Sequence, residues 1–261
     1  MVSNDMPGNE VVLIGIGEIG GVLAKGFLRL GFTVHPVTRE TDSHHLAARI
    51  GQPALVIVAV GENTLSGVLD GIPEKWRSGL CLLQNELLPD DWQGVDSPTV
   101  ISIWFEKKPG IDAKVIIPSP VFGPQSELMR HALAAVNIPV TVLADEEQLL
   151  FQLVLKNLYI LTTNIAGLRT GGNVGELWRH HQTFARQVAG EIISLQEALT
   201  NRTFDREALI AAMVMAFEGD PQHQCMGRSA RARLQRALSH AERLKLDLPQ
   251  LRALQQSIPE S

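Results

Sequence analysis

Between Val11 and Gly21 an apolar run, Val11-Val12-Leu13-Ile14, breaks into the glycines Gly15, Gly17 and Gly20 at G-x-G-x-x-G spacing. No other stretch constrains the fold as much, because it prescribes a buried strand, a tight turn and a helix start in succession. Gly15 permits the turn, Gly17 lets backbone amides approach a pyrophosphate, and Gly20 lets the helix pack closely on the strand. The helix N-terminus, with Glu18 and Ile19 as its first residues, supplies the attraction for the anion. Three glycines alone also fit an ordinary glycine-rich loop, so the flanking chain must decide between the two.

Val22, Leu23, Phe27, Leu28 and Leu30 keep helical spacing up to Gly31, and a strand follows over Phe32 to Val37. This strand-helix-strand unit has the length of a mononucleotide-binding half, and a right-handed crossover makes its strands parallel. At the end of the second strand, NAD-binding chains place a carboxylate that grips the ribose hydroxyls. Here the residues are Thr38 and Arg39, and an arginine suits a 2'-phosphate, so NADP is preferred over NAD. The plainer reading of Arg39, a solvated loop charge, would be favoured without the glycines upstream. Thr41 or Asp42 caps a short helix to Ile50. Pro53 to Val60 is then a continuous apolar run, as in a strand buried on both faces. Leu65 to Ile72 reads as a helix. The next strand, Leu80 to Asn85, carries Gln84 and Asn85 to the edge where parallel sheets bind ligands. Asn85 fits a ligand contact and a turn former equally well.

Short β-rich runs at Thr99 to Phe105, Val115 to Ile117 and Val140 to Leu143 predict that the sheet ends in antiparallel strands, with an amphipathic segment from Gln125 to Val136. The pattern changes near Ala144, which divides the chain into a nucleotide-binding domain over 1–144 and a helical domain over 145–261. Asp145 caps a long helix ending before Gly171-Gly172. This helix is apolar on most sides, but Gln152, Lys156, Asn157, Thr162, Thr163 and Asn164 interrupt it, which favours a core helix over a membrane span. Lys156 and Thr163 stack two turns apart, beside a row of Asn157 and Asn164. A lysine there either snorkels to solvent or faces a polar cavity; in a cofactor cleft between the domains it can donate a proton to a carbonyl. Further helices are expected over Glu176 to Leu199, Asp205 to Phe217 and Gly227 to Leu244. The last carries Arg228, Arg231, Arg233 and Arg236, either a solvated basic face or a hold for an anion.

Charge narrows the partners. The 261 residues carry a formal net charge of −5, which lacks the basic footprint of nucleic-acid or anionic-membrane binding and leaves small molecules as the expected partners. Met1 to Glu10 has no basic segment ahead of an apolar one, so no secretory signal is expected and the expected location is the cytoplasm. Cys81 and Cys225 lack metal-ligand spacing and read as buried, reduced thiols, and the histidines form no metal arrangement.

Taken together, these residues resemble the ketopantoate reductase (2-dehydropantoate 2-reductase) family of NADPH-dependent 2-oxoacid reductases. The likeness spans most of the chain and rests on Gly15-x-Gly17-x-x-Gly20, Arg39, Gln84-Asn85, Val115-Ile116-Ile117 and Phe122-Gly123-Pro124. It is strongest in Lys156 followed by Asn164, then Gly175-Glu176-Leu177-Trp178-Arg179-His180-His181. The resemblance implies an α/β fold: a Rossmann-type doubly wound sheet, then an all-helical domain like the C-terminal one of 6-phosphogluconate dehydrogenase. It implies NADPH as cofactor, a small anionic carbonyl substrate and a homodimer, with no nucleic acid or membrane as partner. Lys156 becomes the general acid, Asn85 and Asn164 orient substrate and nicotinamide, and Arg39 with Thr38 holds the 2'-phosphate. The chain also departs from the family. A family asparagine falls at Ile160, a family lysine near Gly61, and the glutamate that binds the substrate hydroxyl falls at Ser229 or Arg231. Asn157, Ser229 and Arg231 are therefore the expected substrate contacts, for a substrate other than ketopantoate with an additional anionic group to meet Arg231. A non-catalytic NADP(H)-binding sensor on the same fold is the alternative, and a reductase of an imine or a β-hydroxyacid a third.

Overall fold

A computed structural model describes Gly8 to Ile258. Met1 to Pro7, most of the stretch read above for a secretory signal, lies outside the described residues. The chain divides into two compact units after Gln152.

The first unit runs β1 (Gly8–Ile14), α1 (Glu18–Arg29), β2 (Thr33–Val37), α2 (Ser43–Ile50), β3 (Pro53–Val58), α3 (Leu65–Asp70), β4 (Leu80–Leu82), β5 (Thr99–Ile101), β6 (Phe105–Glu106), β7 (Lys114–Val115), β8 (Ser119–Phe122), α4 (Ser126–Ala134) and β9 (Val140–Val142). Seven strands form one sheet in the order β2-β1-β3-β4-β5-β8-β9. The first five are parallel, β8 is antiparallel to β5, and β9 is parallel to β8. Val11, Leu13, Leu55, Ile57 and Cys81 belong to one core with Leu23 and Phe27 of α1 and Met129 and Leu133 of α4. The alternate residues Val12, Val56, Val58, Leu80 and Leu82 are buried as well. Strand side chains alternate between faces, so the sheet is covered on both, which is why β3 reads as an unbroken apolar run.

The antiparallel ending is placed differently from the expectation. Thr99 to Phe105 is two strands, and the first of them is still parallel to its neighbour. The Trp104 amide donates to the Ser119 hydroxyl at 2.9 Å instead of continuing the ladder, and the chain leaves the sheet. Val115 then pairs with Phe105 in a separate two-stranded ribbon, and β8, which the pattern did not single out, carries the reversal.

The long helix α5 (Glu146–Thr170) contains the unit boundary, and α6 (Val174–His180), α7 (Gln182–Thr200), α8 (Arg206–Gly219), α9 (Ala230–Leu244) and α10 (Pro249–Ser257) complete the second unit. By length and composition α5 could cross a membrane, yet 72% of its most apolar window is buried inside the protein, as in a core helix. The helix expected over Glu176 to Leu199 is two, separated at His181. Helix α6 starts in a capping box in which Asn173 accepts from the Glu176 amide and Glu176 reaches back to the Asn173 amide. Helix α10 was not expected. Its cap is the Glu191 carboxylate, which accepts from the amides of Gln250 at 2.7 Å and Leu251 at 3.0 Å, a partner too distant in sequence to leave a local signal.

Candidate functional site

The glycine turn of the first unit is built by close backbone approach. Gly15 has φ of 92°, and a Cβ there would lie 2.6 Å from the Ala59 carbonyl oxygen. The turn therefore joins the carboxyl ends of β1 and β3, the place where the strand order reverses. A Cβ on Gly20 would be driven into the Gly15 carbonyl oxygen, whereas one on Gly17 would meet nothing within 4 Å. Gly15 and Gly20 are thus needed by the fold, and Gly17 faces open space at the start of α1. No side chain caps that helix, so the amides of its first turn remain directed outward. Ile19 packs against the core. Glu18 turns its carboxylate to the Lys107 ammonium at 3.1 Å. Lys107 was not singled out from the sequence, and a pair 89 residues apart has no local signature.

Beside the turn lies a cavity of about 560 Å³ whose lining includes Gly15, Thr38, Arg39, Thr41, Ser43 and Gly61. Thr38 and Thr41 close the loop around Arg39: the Thr38 amide donates to the Thr41 hydroxyl at 3.0 Å and the Thr41 amide to the Thr38 carbonyl at 3.2 Å. Arg39 itself is exposed and makes no ion pair or side-chain hydrogen bond among the described residues. Asp42, the N-cap of α2, accepts from the His45 amide, a bond that holds its carboxyl below the usual range.

At the same edge of the sheet, β4 ends before Gln84. The Gln84 amide group donates to the Val58 carbonyl at 2.6 Å and to that of Val60 at 3.3 Å, tying β4 to β3. Gln84 is thus a structural clip that places Asn85. Asn85 is half-buried, and its side chain has no hydrogen bond among the described residues, leaving amide and carbonyl available to a ligand.

In the second unit the polar residues of α5 separate into different uses. Lys156 is half-buried, with its ammonium 5.9 Å from the centre of the Tyr159 ring. Burial, and after it the Arg233 guanidinium, push this lysine down to about 7. Asn157 is 2% exposed and donates to Gln196 of α7 at 2.9 Å. The expected substrate contact at Asn157 is corrected on that ground to a buried link between helices. Thr163 is also spent locally, its hydroxyl donating to the Tyr159 carbonyl. Asn164 donates to the Ile160 carbonyl at 2.9 Å and accepts from the Gly227 amide at 3.3 Å, so it fixes the segment leading into α9.

Ser229 occupies the N-cap position of α9 without capping it and is half-buried. Arg231 is exposed and lines a cavity of about 710 Å³ with Leu168, Arg169, Phe184 and Met226. Leu168 lies 12 residues beyond Lys156, about 18 Å along α5. The structure therefore sets Arg231 apart from Lys156 and brings Arg233 to it instead. Cys81 and Cys225 are buried, and burial pushes both thiols up to about 12; they are unreactive packing groups. Among the described residues no group of three or more His, Cys, Asp or Glu side chains could hold a metal ion.

A doubly wound parallel sheet with a glycine turn at its switch point, followed by a helical unit with a half-buried lysine, defines a two-part nucleotide-binding fold. Solved structures with this fold are ketopantoate reductases. The dimeric enzyme of Staphylococcus aureus matches with TM-score 0.65 and 16% identity, covering 95% of this chain and 99% of that one. The 2-dehydropantoate 2-reductase of Methylococcus capsulatus matches with TM-score 0.68 and 12% identity, covering 95% and 94%, and that of Porphyromonas gingivalis with 0.63 and 14%, covering 96% and 99%. The expected architecture is thus present along almost the whole chain. No protein-family model matches the sequence, and no curated protein matches it significantly.

Proposed function

We propose that the chain is an NADPH-dependent reductase of a small 2-oxoacid or related carbonyl compound, with Lys156 as general acid. The observation that carries this reading is the half-buried Lys156, whose ammonium is held down to about 7 and so releases its proton readily at neutral pH. The first unit fits the cofactor. The α1 amides and the open face of Gly17 suit the pyrophosphate, and the unpaired Arg39 on its cavity suits a 2'-phosphate. NADPH, when bound, supplies the hydride. As hydride reaches the carbonyl carbon, the π electron pair moves onto oxygen, and Lys156 Nζ gives its proton to that oxygen and becomes a neutral amine. Its charge acts where the alkoxide develops, in a site that holds little water. Asn85 orients the reacting groups through its uncommitted amide, while Asn164 acts indirectly by fixing the approach to α9. Ser229, with no internal hydrogen bond, remains a substrate contact, and a homodimer is the expected assembly.

The sensor reading is favoured by one observation: the amides of Asn157 and Asn164 are committed within the helical unit. An NADPH-oxidation screen over 2-oxoacids, ketopantoate included, separates the two. Oxidation with at least one of them is expected, with NADPH bound more tightly than NADH. Binding of NADPH without oxidation by any of them would favour the sensor, and tighter binding of NADH would remove the role given to Arg39.

A further inference from the structure

Three points of contact fix how α9 runs along α5. At Gly167 a Cβ would lie 2.9 Å from the Cys225 Cβ and 3.1 Å from the Met226 amide nitrogen. At Asn164, the side chain holds the Gly227 amide. At Lys156, the charge that acts on the ammonium is Arg233. As residue number falls along α5 it rises along the other segment, so α9 is antiparallel to α5. The spacing agrees: eight residues on α5 span about 12 Å, and six residues from Gly227 to Arg233 span about 9 Å at helical rise.

The two arginines of the sequence GRSARAR fall on different sides of this contact. Residues two apart on a helix are separated by about 200°, so Arg231 and Arg233 point nearly opposite ways. Arg233 shares its face with Ser229, one turn before it, and both are half-buried beside the fully buried Ala230, Leu234 and Ala237. Arg231 is exposed on the other side. Two cations on facing helices repel each other, and a carboxylate bound to them relieves that repulsion. In a 2-oxoacid the carboxylate adjoins the carbonyl, so two neighbouring donors match the two neighbouring groups. The planar guanidinium suits the carboxylate because it donates to both oxygens at once, and the single ammonium suits the carbonyl.

We infer that Arg233 is the substrate-carboxylate anchor, gripping the acid group while Lys156 meets the adjacent carbonyl oxygen. The inference rests on the reductase reading and names its substrate class: carbonyl compounds with a carboxylate next to the reacting centre. It gives that task to Arg233 in place of Arg231.

The test uses the full chain with NADP bound and measures the binding of oxamate, a carboxylate beside a carbonyl that hydride does not reduce, against its neutral counterpart oxamide. Turnover of pyruvate and of methyl pyruvate is measured alongside. The wild type is expected to prefer oxamate, and Arg233→Met to weaken oxamate about 10- to 100-fold while leaving oxamide unchanged, the loss expected for a charge-assisted pair. Arg233→Lys should recover part of the affinity, and melting together with NADPH binding confirms that each variant is folded. If pyruvate is not reduced but the oxamate preference and its loss in Arg233→Met persist, the reductase reading fails and the carboxylate site stands. Equal binding of oxamate and oxamide by the wild type overturns the inference, as does an oxamate affinity unchanged in Arg233→Met or reduction of methyl pyruvate as efficient as that of pyruvate.

Discussion

The glycine turn and the α5–α9 contact are two ways of building a binding site. In the first unit the work is done by backbone and by missing side chains. Gly15 and Gly20 let β1, β3 and α1 approach one another, and Gly17 leaves the α1 amides uncovered. In the second unit it is done by side chains from distant parts of the chain: Lys156 acquires its altered proton affinity from burial and from Arg233, 77 residues later. The first site is a local backbone conformation and leaves a local motif. The second exists only after packing.

Substitutions can break this contrast or sharpen it. The largest effect is expected from Lys156→Met, which should lower kcat about 10²- to 10⁴-fold while NADPH affinity is unchanged, as measured by steady-state kinetics and cofactor titration. The same variant should alter stability in a fixed direction. Between about 7 and the ordinary value of 10.5, the unfolded chain holds the lysine proton and the folded chain does not. Stability from this group thus rises with pH across that window, and thermal melts of Lys156→Met should lack the rise.

Two glycine substitutions separate fold from binding in the first unit. Gly20→Ala forces the backbone apart and should cost about 1–3 kcal/mol in denaturant melts, with loss of NADPH binding. Gly17→Ala places its methyl in open space at φ of −72°; it should melt like the wild type and yet bind NADPH more weakly. Equal melting of the two variants would break the distinction. The smallest effect is expected from Asn157→Leu, which leaves the buried Gln196 oxygen without its donor. Stability should fall by about 1–3 kcal/mol with kcat retained, and a selective loss of kcat would restore Asn157 to the substrate site.

The same contrast accounts for what the sequence revealed. Three-glycine spacing, the apolar run of β3 and the helix caps at Asp42 and Asp145 are local, and each is present in the structure. The Gly175 to His181 motif that carried the family likeness was also legible, because Asn173 and Glu176 form a capping box and Gly175 packs against Pro221. Choosing between Arg231 and Arg233 was not possible from composition or period. It depends on the rotation of α9, which Asn164 and the Gly167–Cys225 contact set from another helix. The Glu18–Lys107 pair and the Glu191 cap of α10 were hidden for the same reason. For Asn157, helical period placed the residue correctly in its row, but only the packing of α7 shows that Gln196 occupies its amide.

The most direct test of Lys156 as proton donor is the pH dependence of kcat/KM for reduction of a 2-oxoacid, which reports the free protein's ionisations. With a donor held down to about 7, kcat/KM should be high on the acid side and fall as pH rises through about 7. The residual activity of Lys156→Met should lack that descending limb. A wild-type profile flat to pH 9, or the same limb retained in Lys156→Met, would contradict the assignment.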